Sequence, residues 1–231
     1  MITVETIRER HSVREYDGKP LSRAEFDVLG AVVEECARES GLNIQLVGDN
    51  PEVFNVIARF GLIRGCRTHV AFVVDDAKAG DVAADEAIGY WGQRIVLAAQ
   101  DMGLNTCWCA LCSRKKSRAV VASGKKIRLI IAVGHGKTQG FSRKTKSVEA
   151  LSSVECVKAP AWFAAAMEAA QLAPTAMNNQ NFKIMLLSDG KTVRIDAPQS
   201  GLNVIDEGIV RCNFEIAANE AGADWRWERD I

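Results

Sequence analysis

Two hydrophobic periods alternate along the chain. Val70-Ala71-Phe72-Val73-Val74 is continuous, apolar and β-branched, the pattern of a buried strand. Arg128 to Val133 reads as another, closed by Gly134-His135-Gly136, which reads as a turn. Ile44 to Val47, Phe182 to Leu187 and Trp225-Arg226-Trp227 are shorter strand-like runs, and Val13 to Tyr16 is extended. Helical spacing governs the intervals. Residues 3 to 10 form a short helix. Phe26, Leu29, Val32, Val33 and Cys36 keep a helical period behind Ser22-Arg23-Ala24-Glu25, a capping box. Ile88, Trp91, Ile95, Ala98 and Met102 make a long stripe that stops at Gly103, a natural residue for the position after a helix. Trp162 to Leu172 is helical up to Pro174, and about Asp206 to Ala221 is helical up to Gly222. Gln139 to Ser147 is basic, polar and read as a loop. The pattern predicts a protein that mixes helices and strands.

The order helix, strand, long helix occurs twice. Ala98-Ala99-Gln100-Asp101-Met102-Gly103 echoes Ala217-Ala218-Asn219-Glu220-Ala221-Gly222, and the preceding strands end in Gly48-Asp49 and Ser188-Asp189. Two amphipathic helices can look alike by chance. The alternative is an internal duplication about a pseudo-two-fold axis, with halves at 1–155 and 156–231 packed as one unit.

Composition narrows the partners. The 231 residues are 48% hydrophobic and 25% charged, ordinary for a soluble globular chain with a sizeable core. Lys plus Arg (29) balances Asp plus Glu (29), which gives no global reason to expect nucleic acid or a membrane surface as partner. No apolar run approaches the roughly 20 residues of a membrane span. Met1-Ile2-Thr3-Val4-Glu5 has neither a basic start nor an apolar signal core, and the seven cysteines are expected as reduced thiols in a cytoplasm.

Three segments carry candidate chemistry. Arg8, Arg10, His11, Ser12 and Arg14 crowd into seven residues, and arginine forks with a serine hydroxyl suit a phosphate or another anion. In an extended stretch Ser12 and Arg14 share a face. Between the helix ended by Pro174 and the strand at Phe182 lie the Thr175 hydroxyl and the amides of Asn178 and Gln180. Such amides can read the edge of a flat heterocycle or simply brace a polar loop. Cys107-Trp108-Cys109-Ala110-Leu111-Cys112 could hold zinc or an iron–sulfur cluster with Cys66, Cys156 or His69, or could be small core residues. No paired C-x-x-C frame accompanies it, so no metal is expected. Arg114, Lys115 and Lys116 would lower the pKa of a neighbouring thiol. The basic clusters at 114–118 and 143–146 lack the interleaved aromatics of an RNA surface.

Arg10-His11-Ser12-Val13-Arg14-Glu15-Tyr16 together with Ala173-Pro174-Thr175-Ala176-Met177-Asn178-Asn179-Gln180-Asn181-Phe182 resembles the flavin-dependent nitroreductase family. Two further matches are Gly103-Leu104-Asn105-Thr106-Cys107-Trp108, and Ile131 to Gly136 followed by Lys144-Thr145-Lys146. The order departs from the common one. The early segment, Ala37 to Leu46, has lost the Ala-Pro-Ser-Ala-Gly-Asn signature, and the good copy follows the basic loop. This resembles the single-chain subgroup known as putative TM nitroreductase, whose duplicated halves mimic the usual homodimer.

The resemblance implies an α+β, nitroreductase-like fold, with a central, mostly antiparallel sheet flanked by helices, and an FMN-dependent oxidoreductase. NADH or NADPH would be the electron donor and a nitroaromatic, quinone or similar small molecule the acceptor, in a monomer or homodimer. Arg10, Ser12 and Lys146 would hold the FMN phosphate, with Lys144 nearby and His11 against the ribityl phosphate region. Arg14 would reach the flavin edge where negative charge develops on reduction. Asn178 and Gln180, with Thr175 beside them, would address the pyrimidine edge or ribityl hydroxyls. Backbone N–H groups over Cys109-Ala110-Leu111 would approach flavin N5 and O4. The flavin would supply the hydride chemistry, so no side chain is expected as catalytic acid or base. Phe54 to Arg67 or Ala79 to Tyr90 would cover the open face. Met177 and Asn181 replace the family's glycine and proline, and Asn105 another glycine. A non-catalytic FMN-binding or sensing module is the alternative they raise.

Overall fold

In a computed structural model of the chain, residues 2–54, 63–156 and 158–229 are described. A short helix, α1 (Val4–Glu9), precedes the extended segment. Ser22 then caps α2 (Arg23–Ser40): its hydroxyl accepts the Glu25 N–H at 3.3 Å, and the Glu25 carboxylate accepts the Ser22 N–H at 2.7 Å. Both bonds of the capping box are made, so two donors at the helix start are satisfied. Contacts divide the chain into two compact units. One is Glu9–Ala79 with Arg94–Ser142; the other is Ile2–Arg8, Gly80–Gln93 and Arg143–Ile231. The long predicted helix, α3 (Val82–Asp101), begins in the second and ends in the first, with Gly103 behind it at φ 77°. The units are thus interleaved along the chain, unlike a single cut at 155/156.

In the first unit four antiparallel strands lie in the order β1 (Asn43–Val47), β2 (Thr68–Asp75), β4 (Lys125–Gly134), β3 (Asn105–Cys109). The continuous apolar run is β2, with partners on both sides. One face of the sheet carries Ala71, Val73, Cys107, Cys109, Ile130 and Ala132, and Val13, Tyr16, Phe54 and Cys66 complete its core. Ile127 joins the same core although it is an odd number of residues from Ile130. The register explains this: Phe72 faces Leu129 and Val73 faces Ile127, so Arg128 is an extra residue on β4 that resets the alternation. Phe72 and Trp108 stack at 6.2 Å.

The second unit holds α4 (Val148–Leu151), α5 (Ala161–Gln171), α6 (Leu202–Glu220) and a mixed sheet in the order β5 (Ser152–Val154), β6 (Lys183–Leu186), β7 (Thr192–Asp196), β8 (Arg226–Trp227). β6 and β7 are antiparallel, and the outer strands join in parallel. Trp162, Phe163, Phe214, Trp225 and Trp227 form one aromatic cluster, so the C-terminal tryptophans pack. Helix α6 meets the first part of α3 at paired glycines. A Cβ on Gly208 would lie 2.0 Å from the Glu86 carbonyl oxygen, and one on Gly89 2.0 Å from that of Ile205. Beside this crossing Glu86, Glu207 and Arg211 are buried together.

The α+β class with antiparallel pairing and flanking helices is as expected, but the strands make two sheets, one in each unit. The order helix, hairpin, long helix, strand occurs twice. The pairing of the last strand differs, since β8 joins β7 directly whereas β3 reaches β2 through β4. Of the two stretches expected to cover a flavin, residues 55–62 lie outside the described ones, and the other is mostly the start of α3. Among the described residues, no helix is long and apolar enough to cross a membrane.

Candidate functional site

The arginine-rich segment is an extended stretch laced into the first unit. The Val13 N–H donates to Thr106 O at 3.0 Å, and Tyr16 N–H donates to Arg64 O at 2.8 Å. Arg64 N–H returns a 2.8 Å bond to Arg14 O. Arg10 is 8% exposed, while Ser12 and Arg14 are half-buried on either side of buried Val13. The period of two ends there, because Glu15 is exposed and Tyr16 buried. His11 is fixed at both nitrogens, Nδ1 2.9 Å from Glu9 O and Nε2 3.2 Å from Ser142 Oγ.

The loop that brings Ser142 to His11 depends on Gly140 and Asn105. A Cβ on Gly140, at φ 82°, would lie 2.6 Å from the His11 Cβ, so only glycine lets the loop close on the imidazole. Asn105 accepts the Gly136 N–H at 2.9 Å and donates to Gln139 Oε1 at 2.9 Å. It lies in extended β3. The signal was visible as a departure from the family's glycine, but its meaning needed the partner loop.

Ala110 and Leu111 lie in the bend after β3, with Leu111 well exposed. Residues 110–116 line an open hollow of about 590 Å³. Arg114 spans it and donates to Ala110 O at 2.9 Å.

The Thr175 to Gln180 loop belongs to the second unit, as do Lys144 and Lys146. Gln180 is 2% exposed and spends its amide inside that unit. Its Oε1 accepts the Lys146 N–H at 2.7 Å, and its Nε2 donates to Gln171 O at 3.0 Å. The Lys146 ammonium donates to Gln180 O at 2.9 Å, and the Thr175 hydroxyl accepts the Gln180 N–H at 3.0 Å. Asn178 is half-exposed and donates to Lys144 O at 2.9 Å. Thr175 and Gln180 thus brace the loop, and Asn178, Lys144 and Lys146 stand at its outer side. Met177, Asn178 and Gln180 all have positive φ (53°, 57° and 47°). Asparagine accepts that region readily; methionine does not, and Met177 is 92% exposed, without packing to offset the strain.

Asp206 on α6 anchors the loop, a role that no sequence motif announced. The Ala176 N–H donates to both its carboxylate oxygens, at 3.0 and 2.9 Å. Burial pushes this carboxyl up to about 7, against the opposing pull of that bond. A folded pKa above the unfolded value of about 3.9 means the fold holds a proton that the unfolded chain releases. The group's contribution to stability therefore falls as pH rises from about 4 to 7 and levels off above. Asp206→Asn keeps an acceptor for Ala176 and removes the charge. Its stability relative to the wild type should rise between pH 5 and pH 8 in urea unfolding. An unchanged difference would contradict the assignment.

Residues 2–218 match the family model described as Putative TM nitroreductase. Among solved structures the chain is similar to a putative nitroreductase from Thermotoga maritima, at 19% identity and a TM-score of 0.69 over 100% of this chain and 90% of that one. It is also similar to a putative nitroreductase in complex with FMN from Desulfovibrio desulfuricans, at 20% identity and a TM-score of 0.50 over 64% of this chain and 94% of that one. At these identities the likeness shows a common fold. No curated protein matches the chain.

Proposed function

The chain belongs to the Putative TM nitroreductase family, and on that premise we propose that it is an FMN-dependent oxidoreductase. It takes reducing equivalents from NADH or NADPH and passes them to a small acceptor such as a nitroaromatic or a quinone. The observation that carries the reading is Arg10, a buried guanidinium at the head of a hydrogen-bonded extended segment that also presents His11, Ser12 and Arg14. Forked cations and a hydroxyl in one rigid stretch are a donor set that fits a phosphate. The neighbour described with FMN supports the choice of flavin.

Bound FMN supplies two-electron transfer between the nicotinamide and the acceptor. The chain's own residues bind and orient. In the first unit Arg10 and Ser12 hold phosphate oxygens, with His11 oriented beside them by Glu9 and Ser142. Arg14 contributes a fixed cation that favours developing negative charge. Ala110 and Leu111 offer backbone N–H groups. In the second unit, taken by itself, Thr175 and Gln180 fix the loop that carries Asn178, and Asn178, Lys144 and Lys146 are polar groups suited to FMN.

The visible spectrum of the purified protein, before and after adding FMN, tests the cofactor. A protein that is colourless and fails to take up FMN overturns the reading. Arg10→Ala should weaken FMN binding by about one to two orders of magnitude, the loss of charged hydrogen bonds. Asn178→Ala should weaken it less, and unchanged affinity in both would contradict the residue assignments. Exposed Met177, standing where the family has glycine, favours one rival, a module that holds FMN without turning over. Bound FMN that neither nicotinamide reduces under anaerobic conditions would decide for it.

A further inference from the structure

The bend after β3 brings together two thiols that the flavin reading leaves unused. β3 ends at Cys109, residues 110–112 turn, and the Cys112 Sγ comes to 3.7 Å from the Cys109 carbonyl oxygen. Each thiol donates to a carbonyl of the same bend, Cys112 to Cys109 O and Cys109 to Leu111 O. Their settings differ. Cys109 is buried in the first unit's core, and its Sγ lies 3.4 Å from Leu111 O. Cys112 is half-buried on the wall of the hollow lined by residues 110–116, which include Arg114, Lys115 and Lys116. Arg114 is fixed there by Ala110 O, on the same wall as Cys112. Its Nε is buried with no partner among the described residues. The neighbouring Cys109, and then the Arg114 cation, lower the Cys112 pKa. The neighbouring Cys112, and then burial, raise that of Cys109. An accessible sulfur inclined to the thiolate beside a buried protonated one is the division of labour of a dithiol pair. Among the described residues, no group of three or more His, Cys, Asp or Glu side chains could hold a metal ion.

We propose that Cys109 and Cys112 form a redox-active dithiol that exchanges with small-molecule disulfides, Cys112 attacking and Cys109 resolving. The Cys112 thiolate forms a bond to one sulfur of the disulfide, whose other sulfur leaves as a thiolate and takes a proton from water. Cys109 then loses its proton to solvent and attacks the Cys112 sulfur. The second small thiol leaves as a thiolate and is protonated in turn. The dithiol is oxidised to one Cys109–Cys112 disulfide, and the small disulfide is reduced to two thiols.

The test uses the reduced full chain, with oxidised glutathione as the probe at pH 7, followed by alkylation, intact mass and peptide mapping. The wild type should lose two hydrogens, and the new bond should map to Cys109 and Cys112. Cys109→Ser should stop at one glutathione on Cys112, and Cys112→Ser should leave Cys109 a free thiol. Circular dichroism checks that both variants fold, and the wild-type result stands without them. A wild type that keeps both thiols, modifies only Cys156, or joins a different pair overturns the proposal. So does glutathione on Cys109 in Cys112→Ser. Because Ala110 and Leu111, between the two cysteines, are placed against FMN, the exchange is run with the flavin removed as well as on the chain as purified, and the flavin-free result decides.

Discussion

Arg211→Met should destabilise the second unit by about 3–5 kcal/mol, the range for leaving a buried charge without its partner. Arg211 is 2% exposed, and its Nε lies 2.9 Å from Glu86 and 3.5 Å from Glu207, each 1% exposed. The 2.9 Å contact is an ion pair rather than an aligned hydrogen bond, since the Arg211 Nε and Glu86 Oε1 lack a hydrogen-bond partner by angle. Charge neutrality therefore matters more here than directionality. Arg229 adds a second cation, 2.9 Å from Glu86 and 3.1 Å from Glu207, but it is half exposed and screened by water. Methionine keeps much of the side-chain volume, so the loss would be mainly electrostatic, with a smaller part from the guanidinium 4.6 Å above Trp227.

Two measurements separate this from a packing defect. Burial already raises the Glu207 carboxyl above its ordinary range, with Arg211 opposing the shift. Without Arg211 the carboxyl should rise further. A raised folded pKa costs stability above that pKa and nothing below the unfolded value, so the variant's deficit should shrink on acidification. Adding Glu207→Gln to Arg211→Met should restore part of the loss, because it removes the stranded charge. Deficits that simply add, and that do not change with pH, would mean that the cluster is held by shape.

Much of the fold was legible because local chemistry and tertiary role agree. The Ser22 capping box, the buried run at 70–74 and the glycine stop at 103 each form as their residues dictate. β3 was missed because Asn105-Thr106-Cys107-Trp108-Cys109 lacks the aliphatic β-branched residues that mark a strand, and its cysteines suggested ligands instead. β7 was missed because Thr192-Val193-Arg194-Ile195-Asp196 offers only two apolar positions in five residues.

The candidate site was legible as segments rather than as geometry. An amide donates and accepts equally well to a heterocycle and to a backbone, so Gln180 could not be read from sequence. Its burial against Lys146 and Gln171 shows which groups it serves. Glu207 and Arg211, four apart, have the spacing of an ordinary surface pair. Only the α3 crossing buries them. Asp206 likewise looked like one more acidic helix residue until the strained loop was seen hanging from it.

Gly208→Ala should cost at least about 3 kcal/mol, the upper part of the range for overpacking, because the added carbon meets backbone on two sides. It would lie 2.0 Å from Glu86 O and 2.7 Å from Tyr90 N, and neither can swing away as a side-chain tip could. The helices must part, which opens the ion cluster one turn further along α6 and shifts Asp206 away from Ala176. Alanine's better helix propensity returns only about 1 kcal/mol, so the sign is set. The same substitution at Gly30 provides the control. Gly30 lies within α2, and a Cβ there meets only Leu46, at 3.9 Å. Gly30→Ala should therefore stabilise the chain by up to about 1 kcal/mol. Denaturant unfolding of the two variants should move in opposite directions. A Gly208→Ala chain as stable as the wild type would mean that α3 and α6 do not approach to glycine distance.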